Sequence, residues 1–242
     1  MGLKGSWQTF VRAIKLSYEH IGKVMITNLI WFGIGFSLFL LFTYLPIQND
    51  YLFLIALLGT PITLGGVTGA VHYRMNRVIL GEDSDFRDVG VGLKKYFVKG
   101  AVLYVLAALG FAILVFNIWF SQQNPSTLFI VLSGFWIWGI VFWLAVQQFV
   151  FPFLVNQKIG VLGALKKSSL MVLDNVLASL LLVVFSIVII ALSLVLAAPI
   201  MIFVASFLSV LQNCFYHELM VKYEDNVLEE VNSEEVEGED QA

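Results

Sequence analysis

Apolar residues along this chain first recur at helical spacing and then become continuous. Trp7, Phe10, Val11, Ile14, Tyr18 and Ile21 fall at i, i+3, i+4, i+7, i+11 and i+14, with Gln8, Arg12, Lys15, Glu19 and Lys23 between them. That spacing predicts an amphipathic helix over 6–22, with Ser6 as N-cap, resting in a membrane interface with its basic face toward lipid phosphates. From Val24 the pattern changes, and no charged residue occurs before Asp50. A spanning helix needs roughly 20 apolar residues, so 24–45 reads as a first span ending at Pro46. A mixed polar stretch precedes this run and no small-residue cleavage site follows it, which predicts a retained span and not a cleaved signal peptide. After a short turn, 51–73 reads as a second span. Thr60-Pro61 predicts a kink in it or a shifted start. Gly65 and Gly69 form a GxxxG pair, the residue choice that lets a neighbouring helix approach closely.

The polar stretch that follows contains Gly81-Glu82-Asp83-Ser84-Asp85 as breaker and cap. Phe86, Val89, Leu93 and Phe97 then resume helical spacing with Arg87, Lys94 and Lys95 interleaved, predicting a second amphipathic helix over 84–97. Residues 100–157 form an uncharged run of 58. Its turn-forming segment Ser121-Gln122-Gln123-Asn124-Pro125-Ser126 divides it into spans at 101–120 and 128–151, the latter predicted to break at Pro152. Ile159, Leu162, Leu165 and Leu173 with Lys158, Lys166 and Lys167 predict a third amphipathic helix over 157–174. The last uncharged run, 175–217, would be ~65 Å long as one helix, twice the ~30 Å hydrocarbon core, and must therefore fold back. Its only breaker, Ala197-Ala198-Pro199, divides it into spans at 176–196 and 200–219.

The expected fold is thus an all-α integral membrane protein: a six-helix transmembrane bundle of three hairpins, each preceded by a basic amphipathic interfacial helix. Sidedness agrees with that count. With the N-terminus in the cytoplasm and six crossings, all 14 Lys and Arg residues face the cytoplasm, as the positive-inside rule requires. A threefold pattern accompanies it: Ala13-Ile14-Lys15, Gly92-Leu93-Lys94 and Ala164-Leu165-Lys166 occupy matching places in the three units. Composition agrees as well, because 59% hydrophobic and 13% charged residues lie far from soluble-domain usage. The net charge of −3 hides a division. Nine of the 17 acidic residues lie in 224–242, so the membrane domain (1–222) is basic and the tail (223–242) is acidic, expected to be disordered and cytoplasmic.

Candidate chemistry is sparse. His20, His72 and His217 lie outside any metal-ligand spacing, and no GxSxG, P-loop or dinucleotide fingerprint occurs, so no catalytic, cofactor or metal residue is assigned and no enzyme is expected. Cys214 is a lone cysteine in an apolar run and reads as a small core residue. His72 and His217 sit near expected cytoplasmic ends, where a hydrated imidazole costs little. Polar side chains inside spans invite a functional reading by default. Gln147 and Gln148 in the fourth span, with Asn213 and His217 on a stripe of the last, are the candidate intramembrane site, lining a solute path. Ser179, Ser186 and Ser193, at heptad spacing, are assigned with Gly65 and Gly69 to helix packing. Trp31, Trp119, Trp136, Trp138 and Trp143 are expected mostly at headgroups or facing lipid.

Thr60-Pro61-Ile62-Thr63-Leu64-Gly65, Val71-His72-Tyr73-Arg74, Gly81-Glu82-Asp83, Phe86-Arg87-Asp88 and Lys94-Lys95-Tyr96-Phe97 together resemble the YesL-like family of bacterial membrane proteins. Pro152-Phe153, Ala164-Leu165-Lys166-Lys167-Ser168 and Asn175 agree in style. The resemblance covers most of Thr9 to Leu219. It implies a multi-pass protein of a bacterial inner membrane, accessory to sugar import, with no catalytic residues to carry over. The expected function is therefore a non-enzymatic membrane component in contact with the lipid bilayer and accessory to carbohydrate uptake or transport, within a membrane transport complex. The alternative is a small-solute transporter or channel with a path between spans 4 and 6, and the third reading is a lipid-acting membrane enzyme. No cofactor and no nucleic-acid partner is expected, and the sequence names no oligomeric state.

Overall fold

The computed structural model describes residues 1–44, 50–123, 126–196 and 201–239, with side chains described as far as Tyr223. Among the described residues the regular structure is entirely helical: α1 (Leu3–Glu19), α2 (Ile21–Gly35), α3 (Ser37–Tyr44), α4 (Asp50–Ile79), α5 (Arg87–Gln123), α6 (Thr127–Asn156), α7 (Val161–Asp174), α8 (Val176–Leu196) and α9 (Val204–Glu239). Four of these, α4, α5, α6 and α8, are long and apolar enough to cross a membrane. The α2–α3 pair, bent by 58°, makes a fifth if it counts as one span. The expected sixth span, 200–219, does not reach that length within α9. The uncharged run from Val204 to His217, ahead of the first charged group Glu218, is only 14 residues, which at 1.5 Å each cover ~21 Å.

Several boundaries differ from the sequence expectation for identifiable reasons. The first span is not continuous over 24–45 but breaks at Phe36 (φ −95°, ψ 6°), between Gly35 and Ser37. The second span does not stop at 73. Its helix continues two further turns to Ile79 and contains Pro61, near which Thr60 and Thr63 donate to the Ala56 and Thr60 carbonyls at 2.7 and 2.9 Å. Pro152 does not break α6, which continues to Asn156, whose side-chain amide donates to the Pro152 carbonyl at 2.8 Å. Such local bonding is how membrane helices accommodate proline. The second amphipathic segment, 84–97, is not a separate helix. It forms the first turns of the 37-residue α5, since nothing at 98–101 interrupts the backbone hydrogen bonding. The tail, expected without structure, continues the backbone of α9 to Glu239. The expected breakers Pro46, Pro125 and Pro199 lie outside the described residues.

The amphipathic segments bury a face that hydropathy does not mark. On α1 the buried residues are Ser6, Thr9, Ala13 and Ser17, while Trp7, Val11, Ile14 and Tyr18 face outward. On α7 the buried residues are Ala164, Ser168, Met171 and Val172, while Leu162, Leu170 and Leu173 face outward. Lipid rewards the outward apolar stripe, so close packing falls to small residues, as it does between spanning helices. Each of these segments packs chiefly on one helix: the start of α5 on α4, α7 on α6, and α1 on α9. Those three helices, α4, α6 and α9, also touch one another and form the centre of the bundle. At the matching positions of the threefold pattern stand Ala13, Gly92 and Ala164, all three buried.

Gly65 and Gly69 lie on the seam between α4 and α5. A Cβ on Gly65 would stand 2.5 Å from the Gly100 carbonyl oxygen, one on Gly100 would stand 2.2 Å from the Gly65 carbonyl oxygen, and one on Gly69 would meet Tyr96 at 2.9 Å. The first two contacts are with backbone and cannot be relieved by a rotamer change. Gly100→Ala is therefore expected to destabilise the protein by about 1–3 kcal/mol, despite alanine's better helix propensity. Gly90→Ala, where a Cβ meets nothing within 4 Å, should be neutral or stabilising by up to ~1 kcal/mol. Thermal unfolding in detergent measures both, and equal effects from the two substitutions would contradict the seam.

Candidate functional site

The centre of the bundle is polar. Asn213 on α9 donates from Nδ2 to the Ser209 carbonyl at 2.8 Å and to Nδ1 of His72 on α4 at 3.1 Å, while its Oδ1 accepts from Asn156 Nδ2 on α6 at 3.2 Å. Since Asn213 donates to Nδ1, the neutral His72 ring carries its proton on Nε2. One turn along both helices the pairing is reversed: His217 Nε2 lies 2.8 Å from Asn76 Oδ1. His72 with Asn213 and Asn76 with His217 share one sequence offset, 141 residues, so α4 and α9 run parallel. His72 is buried, against the expectation of a hydrated position at a span end, and its ring stacks on Phe151 with centroids 5.1 Å apart.

Beside this ladder lies a cavity of about 430 Å³ between α2, α4, α5, α6, α8 and α9. That size fits a small-molecule site. Gln147 and Gln148 line it, as does Ser193; Asn213 and His217 do not. Asn213 instead stands behind the cavity through its bond to His72, which does line it. Gln148 Oε1 accepts from Ser186 Oγ at 2.9 Å and from Gln212 Nε2 at 2.8 Å, tying α6, α8 and α9 together. Ser179 and Ser193 donate to carbonyls of their own helix, at Asn175 and Ile189. The three heptad serines thus have three different surroundings: a buried helix contact, a bond to another helix and a cavity wall. Gln147 differs from its neighbour, for its Nε2 is buried with no hydrogen-bond partner among the described residues.

Sequence reasoning missed several members of this site. Trp31, expected at a headgroup or in lipid, lines the cavity and donates from Nε1 to Thr68 Oγ1 at 2.9 Å. Trp143 likewise turns inward, donating to the Ala107 carbonyl at 3.0 Å, whereas Trp119 and Trp138 do face outward. Asn28 Oδ1 accepts from the backbone N–H groups of Ala205 and Ser206 at 2.7 and 3.2 Å, capping the start of α9 from another helix. Gln212 and Tyr104 complete the polar lining. A signal for the ladder was present: a histidine and an asparagine four apart on one helix, and the reverse order four apart on another. Arg74 is a further buried group, donating from Nη1 to Thr27 Oγ1 at 2.6 Å, with Asp88 and Asp85 supplying compensating charge. Among the described residues no cluster of three potential metal ligands occurs.

A second hollow, about 410 Å³, lies at the lysine-bearing end between α6, α7 and α9, walled by Phe153, Leu170, Met171 and Met220. Its rim is held by a polar tie. Asp174 Oδ2 accepts from the Tyr223 hydroxyl in a short hydrogen bond and from Lys222 Nζ at 3.1 Å. These donors, Tyr223 first and Lys222 second, hold the Asp174 carboxyl below its ordinary range. Burial and the bond to Asp174 push the Tyr223 phenol up to about 12.

No family model matches the chain, and neither a curated protein nor a solved structure matches it.

Two outcomes follow from these geometries. Asn213→Ala leaves His72 Nδ1 without its partner and the Asn156 amide with only its bond to the Pro152 carbonyl, which is expected to cost about 1–3 kcal/mol. Pairing His72→Phe with Asn213→Leu should recover part of that loss, because both sides become apolar, and a thermal-unfolding double-mutant cycle with no coupling would contradict the bond. At the rim, Asp174 has a lowered folded-state pKa. Its contribution is therefore fully present above the unfolded value and lost as pH falls through the folded one. Tyr223, with a raised folded-state pKa, contributes fully below its unfolded value and loses that contribution as pH rises toward about 12. Asp174 is half exposed, so the energy is small. Tyr223→Phe should move the Asp174 carboxyl back toward its ordinary range in an NMR titration, and an unmoved carboxyl would rule out the tie.

Proposed function

We propose that this chain is a multi-pass membrane protein that handles a small uncharged molecule by binding it in the cavity between α6 and α9. This is the solute-handling reading of spans 4 and 6. One observation carries it: the cavity brings Gln147, Gln148, Gln212 and His72 to one apolar space deep among candidate spans, with no charged side chain in its lining. A desolvated ion would find no counter-charge there. The positive end of α9, which in other membrane proteins receives anions, is already capped by Asn28. An uncharged ligand with a few polar atoms matches the lining.

The finer architecture belongs to the same proposal. The chain crosses six times with both ends in the cytoplasm, and α9, with the residues before it, supplies the sixth crossing. The parallel course of α9 and α4 supports an equal direction for spans 2 and 6, and the one-sided distribution of lysine and arginine supports the orientation. The bacterial inner membrane and a place beside a carbohydrate importer follow from the family resemblance alone and are proposed as context. In that setting the protein works through binding and not through catalysis.

Ala107 lines the cavity from α5. A large side chain in a packed core costs about 1–3 kcal/mol, whereas one that enters empty space is tolerated. Ala107→Phe is therefore expected to keep or raise the melting temperature in nanodiscs. The wild type should release a co-purified uncharged molecule on organic extraction, detected by mass spectrometry, and the variant should not. Loss of several degrees of stability on filling, or an identical extract from both proteins, would rule out a ligand-holding cavity.

A further inference from the structure

The hydrogen-bonding capacity left open in the cavity specifies more than an uncharged ligand. Gln148 Oε1 already accepts two bonds, from Ser186 and Gln212. Thr68 accepts from Trp31 and donates to the Leu64 carbonyl at 2.7 Å, and Ser193 donates to Ile189. Gln147 Nε2 remains a donor without a partner. His72 Nδ1 is occupied by Asn213, so the ring presents Nε2–H as its remaining group. Both residues line the same cavity: His72 stacks on Phe151, and Phe151 is one helical turn beyond Gln147, about 6 Å along α6.

We propose that the ligand is an uncharged lipid whose polar end is a carbonyl acceptor, an ester or ketone, seated against Gln147 Nε2 and His72 Nε2 with its tails leaving toward the bilayer. This rests on the cavity being a binding site, as argued above. The buried polar atom left without a partner is a donor, which a carbonyl satisfies, and the mostly apolar remainder of the lining suits a lipid better than a polyol. The cavity opens beside an apolar stretch of α8, where the lining residues Ile190 and Leu194 are exposed. A buried unpaired donor is destabilising, and a bound carbonyl removes that penalty. Gln147→Leu is isosteric enough to keep the wall and deletes the unpaired group, so it should fold normally.

The test uses the full chain in nanodiscs and a diazirine-bearing dioleoylglycerol, which is uncharged and carries two ester carbonyls. Photolabelling is expected on peptides of α6, α8 and α9 that line the cavity. Excess dioleoylglycerol should suppress it, glucose should not, and Gln147→Leu should weaken it about three- to tenfold, the loss of one hydrogen bond. Label spread over all lipid-facing helices and unchanged by Ala107→Phe would mean bulk lipid only and would overturn the proposal. Suppression by glucose, with the sensitivity to Ala107→Phe retained, would overturn the lipid class while leaving the cavity as a solute site. Absence of any Ala107→Phe-sensitive binding of either probe would overturn both.

Discussion

In hydrocarbon no water is present to satisfy a polar group, so every amide, imidazole and hydroxyl between spans must find its partner in the protein. The reversed pairs His72–Asn213 and Asn76–His217 are the most consequential answer to that constraint. Two apolar helices in lipid gain little from sliding into one register in preference to another. Two polar pairs at one offset define register, direction and rotation together, because a shift of one residue separates both. Asn156 joins the third central helix to the same node through Asn213. The cavity lies beside this node, and His72 belongs to both.

The same constraint accounts for the choice of small residues elsewhere. Without a hydrophobic force between helices, contact area comes from backbone proximity. Gly65 and Gly100 provide it on the α4–α5 seam, and Ser6, Thr9, Ala13 and Ser17 provide it where α1 rests on α9. The first helix therefore lies on the last one, as α5 begins on α4 and α7 lies on α6. Ala13, Gly92 and Ala164, at matching places in the sequence pattern, are all buried, and a Cβ on Gly92 would stand 2.8 Å from Ala70 on α4.

Legibility from sequence followed the same division. Long uncharged runs made the helical, membrane-compatible character plain, because hydropathy is a one-dimensional property. Boundaries were less legible. Pro61 was expected to kink its span or shift its start and Pro152 to break its own, yet both lie inside continuous helices, where neighbouring side chains bond the backbone locally. The amphipathic stripes were visible, yet the face that packs was not, since Ser6, Thr9 and Ser17 carry no hydropathy signal. At the site, Gln147 and Gln148 were recognisable as polar residues in a span. His72 was misjudged because its distance from the nearest arginine in sequence, two residues, suggests water, while Arg74 itself is buried against Thr27. The partners Asn28, Asn76 and Asn156 lie on other helices, and no local pattern connects them.

For a ligand held in the cavity as proposed, the position of the ladder constrains how it would be handled. Between the cavity and the lysine-bearing end stand the His72–Asn213–Asn156 bonds and, one turn further, the Asn76–His217 bond. A solute continuing in that direction must open both levels, each in a low-dielectric setting where an unpaired amide costs about 1–3 kcal/mol. Opening them without compensation is therefore unfavourable, and a ligand that merely fits the cavity gains nothing by advancing. A ligand that accepts hydrogen bonds from Gln147 and His72 supplies the compensation at the first level only. The arrangement thus favours holding over passage in this conformation. A transport step, if the molecule makes one, requires α9 to exchange its partners on α4 as a unit, because the shared register allows neither pair to move alone.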